Sequence, residues 1–195
     1  MIKRIFDILS SLLAILAFIP IYLLVAILVY YSLGWPIIYK AKRAGKYNKE
    51  FTLIKFRSMK NSTNHVSHHS GDDDPRITKT GKFIRQTKLD ELPQLFNVLF
   101  GKMSIVGPRP ETPEYIKLYS KEQMKILSIR PGITDFASIE FSNLGDILKG
   151  DDPDKLYFEK VWDKKMKLRM KYTEEHNFFI DMKIIFSTIM AIFKK

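Results

Sequence analysis

Between Asp7 and Lys40 the chain carries no charged side chain for 32 residues, and Pro20 stands near the centre of that run. As one helix, Ile8 to Leu33 would extend about 39 Å at 1.5 Å per residue, enough to cross a hydrocarbon core of about 30 Å. Proline cannot donate a hydrogen bond to Leu16 and its ring collides with that carbonyl, so a kink is expected at Pro20. The two halves, Ile8 to Ile19 and Ile21 to Leu33, would each be only about 18 to 20 Å long, too short to cross alone. Lys3 and Arg4 precede the run, and Lys40, Lys42, Arg43 and Lys46 follow it. Two arrangements meet these constraints. One is a helix that enters the membrane, breaks and returns, which keeps both basic flanks on the cytoplasmic side. The other is a kinked single span with its short N-terminus translocated. Tyr30, Tyr31, Trp35 and Tyr39 suit the headgroup level in either case. "GWPIIYKAKRAG" offers no small-x-small cleavage site, so the segment is expected to remain in the mature protein. The chain therefore divides into a membrane-embedded unit, residues 1–39, and a globular unit, residues 40–195.

Thirty-two Lys and Arg against 21 Asp and Glu give a net charge of +11, which favours nucleic acid, anionic lipid or phosphorylated substrates. With no cysteine, disulfides, thiolate metal sites and thiol nucleophiles are excluded. Neither a Walker-type phosphate loop nor G-x-G-x-x-G occurs, so ATP and dinucleotides have no support in the sequence.

Along the globular unit, "EFTLIKFRSM" reads as a strand with Lys55 and Arg57 on one face. The polar loop "NSTNHVSHHSGDDDPR" follows. Its His65, His68, His69 and Asp72 to Asp74 are metal-binding residue types, but they lack the rigid register of a ligand set, and a solvated loop is the better reading. Helices are predicted at Asp90 to Phe100, ended by Gly101; at Pro113 to Ser128, ended near Arg130-Pro131-Gly132; and at Asp154 to Tyr172. Phe178, Met182, Ile185, Ile189 and Ile192 recur at helical spacing, which gives a C-terminal amphipathic helix lying in a membrane interface or packed on the core. Strand content is small. The expected fold is α+β, mainly helical with little strand: a kinked re-entrant membrane helix and a small globular domain with interfacial helices.

"TKLDELPQ" has two readings. As a helix start, Asp90 is the N-cap, Glu91 lies in the first turn, and Pro93 falls where backbone donors are unpaired anyway. The same position keeps a carboxylate ionised and offers donors to a phosphate, which makes Asp90 a candidate nucleophile at phosphorus. That attack needs cations to neutralise both partners, and Arg85, Lys88, Arg109 and a divalent metal would supply them. Neighbours on a helix point about 100° apart, so Asp90 and Glu91 are expected to take different roles. In "SIVGPRP", Pro108 and Pro110 fix the backbone around Arg109 and present it on a stiff loop, to a phosphate or to a surface salt bridge. "IRPGIT" repeats the device around Arg130.

The kinked apolar segment, "FTLIKFRSM", "DDPRITKTGKFIRQTKLDELPQLFNVLFGKMSIVGPRP" and "RPGIT" together resemble the bacterial sugar transferase family, the monotopic phosphoglycosyl transferases. The resemblance runs roughly from Lys3 to Ile133 and departs from the family pattern in two places. Ile19 precedes Pro20 where the family often has serine, and Asp135 stands where many relatives have glycine. The last sixty residues carry little of the signal and are a natural place for sugar preference. The resemblance implies transfer of a sugar-1-phosphate from a UDP-sugar to undecaprenyl or another polyprenyl phosphate, with release of UMP, at the cytoplasmic face of the bacterial inner membrane. By the same resemblance, Asp90 is the nucleophile and Glu91 the second acid, with Mg²⁺ at the pair. Arg85, Arg109 with Pro108 and Pro110, Lys55, Arg57 and Arg130 contact phosphate or nucleotide groups, and Pro20 forms the kink. Membrane lipids are partners, nucleic acid is not, and a homo-oligomer is compatible with the sequence. A competing class is a basic membrane-anchored module that binds nucleic acid or anionic lipid. Glycoside hydrolysis fits less well, because its carboxylates sit about 5 to 9.5 Å apart across a sugar, which adjacent residues supply poorly.

Overall fold

A computed structural model describes residues 2–60 and 69–193. Helices α1 (Ile2–Ala17) and α2 (Ile19–Leu33) form the N-terminal pair and are bent by 64° at their junction. The break falls at Phe18, and Pro20 lies in the first turn of α2, where a missing N–H costs no intrahelical bond. Among the described residues no single helix is long and apolar enough to cross a membrane; the bent pair is so only as a pair.

The charged residues of α1 are all tied to the globular part. Lys3 pairs with Asp181. Arg4 donates to the carbonyls of Val98 (2.7 Å) and Leu99 (2.9 Å), the end of a later helix whose last carbonyls lack intrahelical donors. Asp7 is buried and accepts from Ser104 Oγ (2.8 Å) and the Ile105 amide (3.1 Å). At the far end of the pair, Ser32 donates to Thr78 Oγ1 (2.9 Å). Along α2, Val25 and Val29 pack with Phe56 and Ile84 in one apolar cluster.

Strands β1 (Ile38–Ala44) and β2 (Glu50–Phe56) make an antiparallel hairpin with Ile38 opposite Phe56 and Ala44 opposite Glu50. After α3 (Lys79–Gln86), a single 3₁₀ turn (Leu89–Glu91) leads into α4 (Gln94–Leu99). Strand β3 (Ser104–Val106) runs to α5 (Pro113–Ile116), then through a 3₁₀ stretch (Gln123–Ser128) to β4 (Gly132–Thr134), which pairs parallel with β3. Short helices α6 (Phe136–Glu140), α7 (Leu144–Ile147) and α8 (Pro153–Tyr157) follow. A π turn (Phe158–Trp162) then joins α8 to α9 (Asp163–Glu175), and α10 (Phe178–Phe193) ends the chain. The fold is mostly helical with little strand, as expected for α+β.

Three predicted elements differ. The helix expected over Asp90 to Phe100 splits, because Lys88 adopts a left-handed conformation (φ 60°) and Pro93 lacks a donor, leaving one 3₁₀ turn before α4. The helix expected over Pro113 to Ser128 is only α5 and a 3₁₀ stretch. Strand β2 stops at Phe56, so its alternation does not carry Arg57 onto the face of Lys55. In α10 the buried residues are Asp181 and Ile184; Ile184 packs with Val106 and Tyr172, while Phe179 is 85% exposed. The helix thus seats one edge on the core and leaves apolar surface outward.

Candidate active site

Lys88 is the local cause of the site. A non-glycine residue in the left-handed region costs roughly 1 to 2 kcal/mol, and the sharp turn it produces places Asp90 and Glu91 on a cavity of about 520 Å³. Lys55 from β2, Arg85 from α3 and Arg109 from the loop after β3 line the same cavity. Apolar side chains line it as well: Ala14 and Phe18 at the bend, Leu95 of α4, and Ile185 and Ile189 of α10.

The two acids are differently engaged. Glu91 receives both arms of Arg109: Nη1 to Oε2 at 2.7 Å and Nη2 to Oε1 at 2.9 Å. Burial would raise the Glu91 pKa, but the charge and hydrogen bonds of Arg109 hold it down at about 2. Asp90 is 5% exposed, and its carboxylate has no hydrogen-bond partner among the described residues. Burial, and then the neighbouring Glu91 charge, push its pKa above the usual carboxylate range, against Lys55, Arg85 and Lys88. The Lys55 ammonium also lacks a hydrogen bond or ion pair among the described residues, its recorded contact being the Tyr39 ring at 5.5 Å. Burial lowers the pKa of Lys55, and the charge of Asp90 opposes this most strongly. A buried carboxylate and a half-buried ammonium that each keep open hydrogen-bonding capacity on one cavity are suited to a ligand that supplies both signs. Arg85 reaches Ser70 Oγ at 3.1 Å.

Of the two readings of Asp90, the helix cap is not what the structure shows: Asp90 makes no capping bond, and α4 begins only after Pro93. The loops around Arg109 and Arg130 were read as two similar devices; in fact they pack on each other. Gly107 donates to Thr134 (2.9 Å), Gly132 donates to Pro108 (3.0 Å), and a Cβ on Gly132 would meet the Gly107 nitrogen at 2.1 Å. Arg109 then turns into the cavity, whereas Arg130 is turned outward onto the Gly101 carbonyl (3.1 Å) and does not line it. Pro108 and Pro110 flank Arg109 without lining the cavity themselves. Arg57, read as a substrate contact, caps α2 instead: its guanidinium donates to the carbonyls of Leu33, Gly34 (2.9 Å) and Trp35 (3.3 Å). A helix C-terminus offers those unpaired acceptors to the nearest cation.

Of the histidine and aspartate loop, His65 and His68 lie outside the described residues. His69 bonds to Asp154 (2.7 Å) and stacks on Tyr157. Among the described residues no group of three or more His, Asp or Glu side chains could hold a metal ion. The acid pair still suits Mg²⁺, which keeps several waters and takes one or two carboxylates together with substrate phosphates, and Asp90 has that capacity open.

Three residues that matter to the cavity, Glu111, Lys165 and Arg169, have no part in the sequence expectations, and Asp135 enters them only as a departure from the family pattern. Asp135, Lys165 and Arg169 line it, and Glu111 binds the latter two, each at 2.7 Å. The readable signal was Lys165 and Arg169 at i, i+4, one face of a helix.

A cavity lined both by cations with a carboxylate that has no described partner and by apolar helical side chains is of the class suited to a ligand with anionic and apolar parts. The profile of the bacterial sugar transferases matches residues 1–195, and the chain belongs to that family. The match reaches well past Ile133, where the recognisable motifs end. The chain is 35% identical to the Bacillus subtilis protein named uncharacterized sugar transferase EpsL, over 98% of this chain and 87% of that one. It is 35% identical to a UDP-N-acetylgalactosamine-undecaprenyl-phosphate N-acetylgalactosaminephosphotransferase of Aeromonas hydrophila, over 98% of this chain and 43% of the relative. It is 36% identical to a UDP-glucose:undecaprenyl-phosphate glucose-1-phosphate transferase of Escherichia coli, over 99% and 40% respectively. The chain thus spans less than half the length of these last two relatives.

Proposed function

We propose that the protein transfers a sugar-1-phosphate from a UDP-sugar to undecaprenyl or a similar polyprenyl phosphate, an early membrane step in polysaccharide or other glycoconjugate assembly. The observation that carries this reading is the buried Asp90 carboxylate, without a described partner, on a cavity it shares with the equally open Lys55. The relatives' names support the donor and acceptor classes.

In this reading an Asp90 oxygen attacks the sugar-bearing phosphorus. The P–O bond to the nucleotide breaks, UMP leaves with the electron pair, and an acyl phosphate links Asp90 to the phosphosugar. An oxygen of the lipid phosphate then attacks the same phosphorus and releases the Asp90 carboxylate, so the kinetics are ping-pong. Lys55 and Arg85 neutralise the diphosphate as Asp90 approaches, and Arg109 holds Glu91 ionised beside it. Mg²⁺, held by Asp90 with Glu91 adjacent, would supply Lewis-acid neutralisation of phosphate charge.

We place residues 1–39 in the cytoplasmic membrane as a re-entrant pair and residues 40–195 at its cytoplasmic face. Contacts at both ends of the pair support re-entry: a single span would move the start of α1 across the bilayer and break the bonds of Lys3, Arg4 and Asp7 to the globular part. The outward apolar residues Leu13, Leu23, Tyr31 and Phe179 suit contact with lipid. A nucleic-acid or lipid-binding module would account for the net charge but not for the open buried carboxylate.

The test is UMP release from a panel of UDP-sugars, with polyprenyl phosphate and Mg²⁺, by the purified protein. Wild-type protein should release UMP with at least one sugar, and Asp90→Asn should release none. Unchanged turnover in Asp90→Asn would reject the nucleophile.

A further inference from the structure

The segment from Arg109 to Glu111 is held at both ends by groups far away in sequence. At its start, the Arg109 amide donates to Asp135 Oδ2 (3.3 Å), while Asp135 Oδ1 takes the amide and hydroxyl of Ser138, each at 2.6 Å. At its end, Glu111 Oε1 accepts from Arg169 Nη1 and Lys165 Nζ, both at 2.7 Å. Arg169 joins the two ends. It is 1% exposed, and its Nε lies 3.7 Å from Asp135 Oδ2 without a hydrogen bond. Burying a guanidinium costs several kcal/mol, and an apolar side chain of similar volume often serves stability as well or better. A buried arginine whose Nε is unsatisfied is therefore poorly explained by stability alone.

The route from sequence to this strut is local. The π turn at Phe158–Trp162 inserts extra backbone ahead of α9, a feature frequent at functional sites. After it, Lys165 and Arg169 stand one helical turn apart on the cavity wall.

We infer that Arg169, through Asp135 and Glu111, is a positioning residue that fixes the Arg109 loop so that Arg109 meets Glu91 in the geometry the transfer reaction needs. This rests on the proposed phosphosugar transfer. Arg169 acts from α9 through its bonds to Glu111 and Tyr119 and its approach to Asp135, with no bond to either acid of the pair. The strut includes Asp135, one of the positions where this chain departs from the family pattern.

The experiment measures kcat and donor KM for UMP release by purified protein, corrected for the folded fraction, in wild type and variants. Arg169→Met should lower kcat about 10- to 100-fold, the scale set by a misplacement of about 1 Å, and leave donor KM nearly unchanged. Glu111→Gln, which keeps the shape, should lower kcat in the same way and decides the matter if Arg169→Met does not fold. In an Arg109→Lys background, Arg169→Met should cost less than about threefold, because the group it positions is already gone. Lys164→Ala, on the same helix in an exposed pair with Glu140, should be neutral. Folded Arg169→Met or Glu111→Gln with kcat within twofold of wild type would overturn the inference. An equal loss in both backgrounds would do so too, since it would assign Arg169 to general packing. Wild-type protein that releases no UMP with any donor would contradict the functional reading itself, and the positioning claim would fall with it.

Discussion

Asp90 and Glu91 share a 3₁₀ turn, and what separates them is the company each keeps. Arg109 takes both oxygens of Glu91, which leaves Asp90 to answer to Lys55 and to whatever enters the cavity. In the proposed reaction Lys55, which lines the cavity without a hydrogen bond or ion pair among the described residues, neutralises the phosphate. Lys55→Met should lower kcat for UMP release by about 10² to 10³, the usual loss on removing one preorganised donor. A change confined to donor KM would contradict this. Glu111 makes a separate prediction about stability. Burial alone would raise its pKa, but Lys165 and Arg169 hold it well below the usual range. Its folded value lies under the unfolded value of about 4.3, so the unfolded chain takes up the proton first as pH falls. The stabilisation is complete above about pH 5 and drains away below it. The melting temperature of wild type should fall between pH 5 and 3 more steeply than that of Glu111→Gln; parallel curves would refute the assignment.

At the scale of elements, Arg57 illustrates what the sequence could and could not convey. "IKFRSM" has the alternation of a strand, and alternation puts Lys55 and Arg57 on one face. Alternation does not announce where a strand stops, and β2 stops at Phe56, which turns Arg57 back onto the end of α2. Arg57→Met should cost about 1.5 to 3 kcal/mol of stability by removing the charged hydrogen bonds to the carbonyls at the end of α2, with kcat per folded molecule nearly unchanged. A stable but inactive variant would return Arg57 to the site. The turn at Lys88 was hidden for a similar reason: a lysine at positive φ has no local signature, whereas the break at Pro20 follows directly from the chemistry of the ring. Asp135, Glu111, Lys165 and Arg169 meet only because β4, the loop after β3 and α9 pack together, and a pairing so distant in sequence leaves no trace in periodicity.

For the whole molecule, the account holds that a bent apolar pair sits in one leaflet with both ends returned to the same globular body. With no native cysteine, Ile2→Cys gives a single labelling site. It should react with a membrane-impermeant reagent only when the cytoplasmic side is open; labelling of intact cells from outside would establish a spanning helix. The apolar run, the acid pair and Arg109 were legible in the sequence, since each is a local pattern with a chemical meaning. The cavity that relates them is a product of the packing. Everything converges on Asp90 forming a bond to phosphorus, and mass spectrometry tests that most directly. Protein incubated with its UDP-sugar and Mg²⁺, without lipid acceptor, and then quenched and digested should carry the mass of a phosphosugar on the peptide containing Asp90, and lose it when polyprenyl phosphate is added. A phosphosugar on any other side chain, or turnover with no adduct at all, would contradict the account.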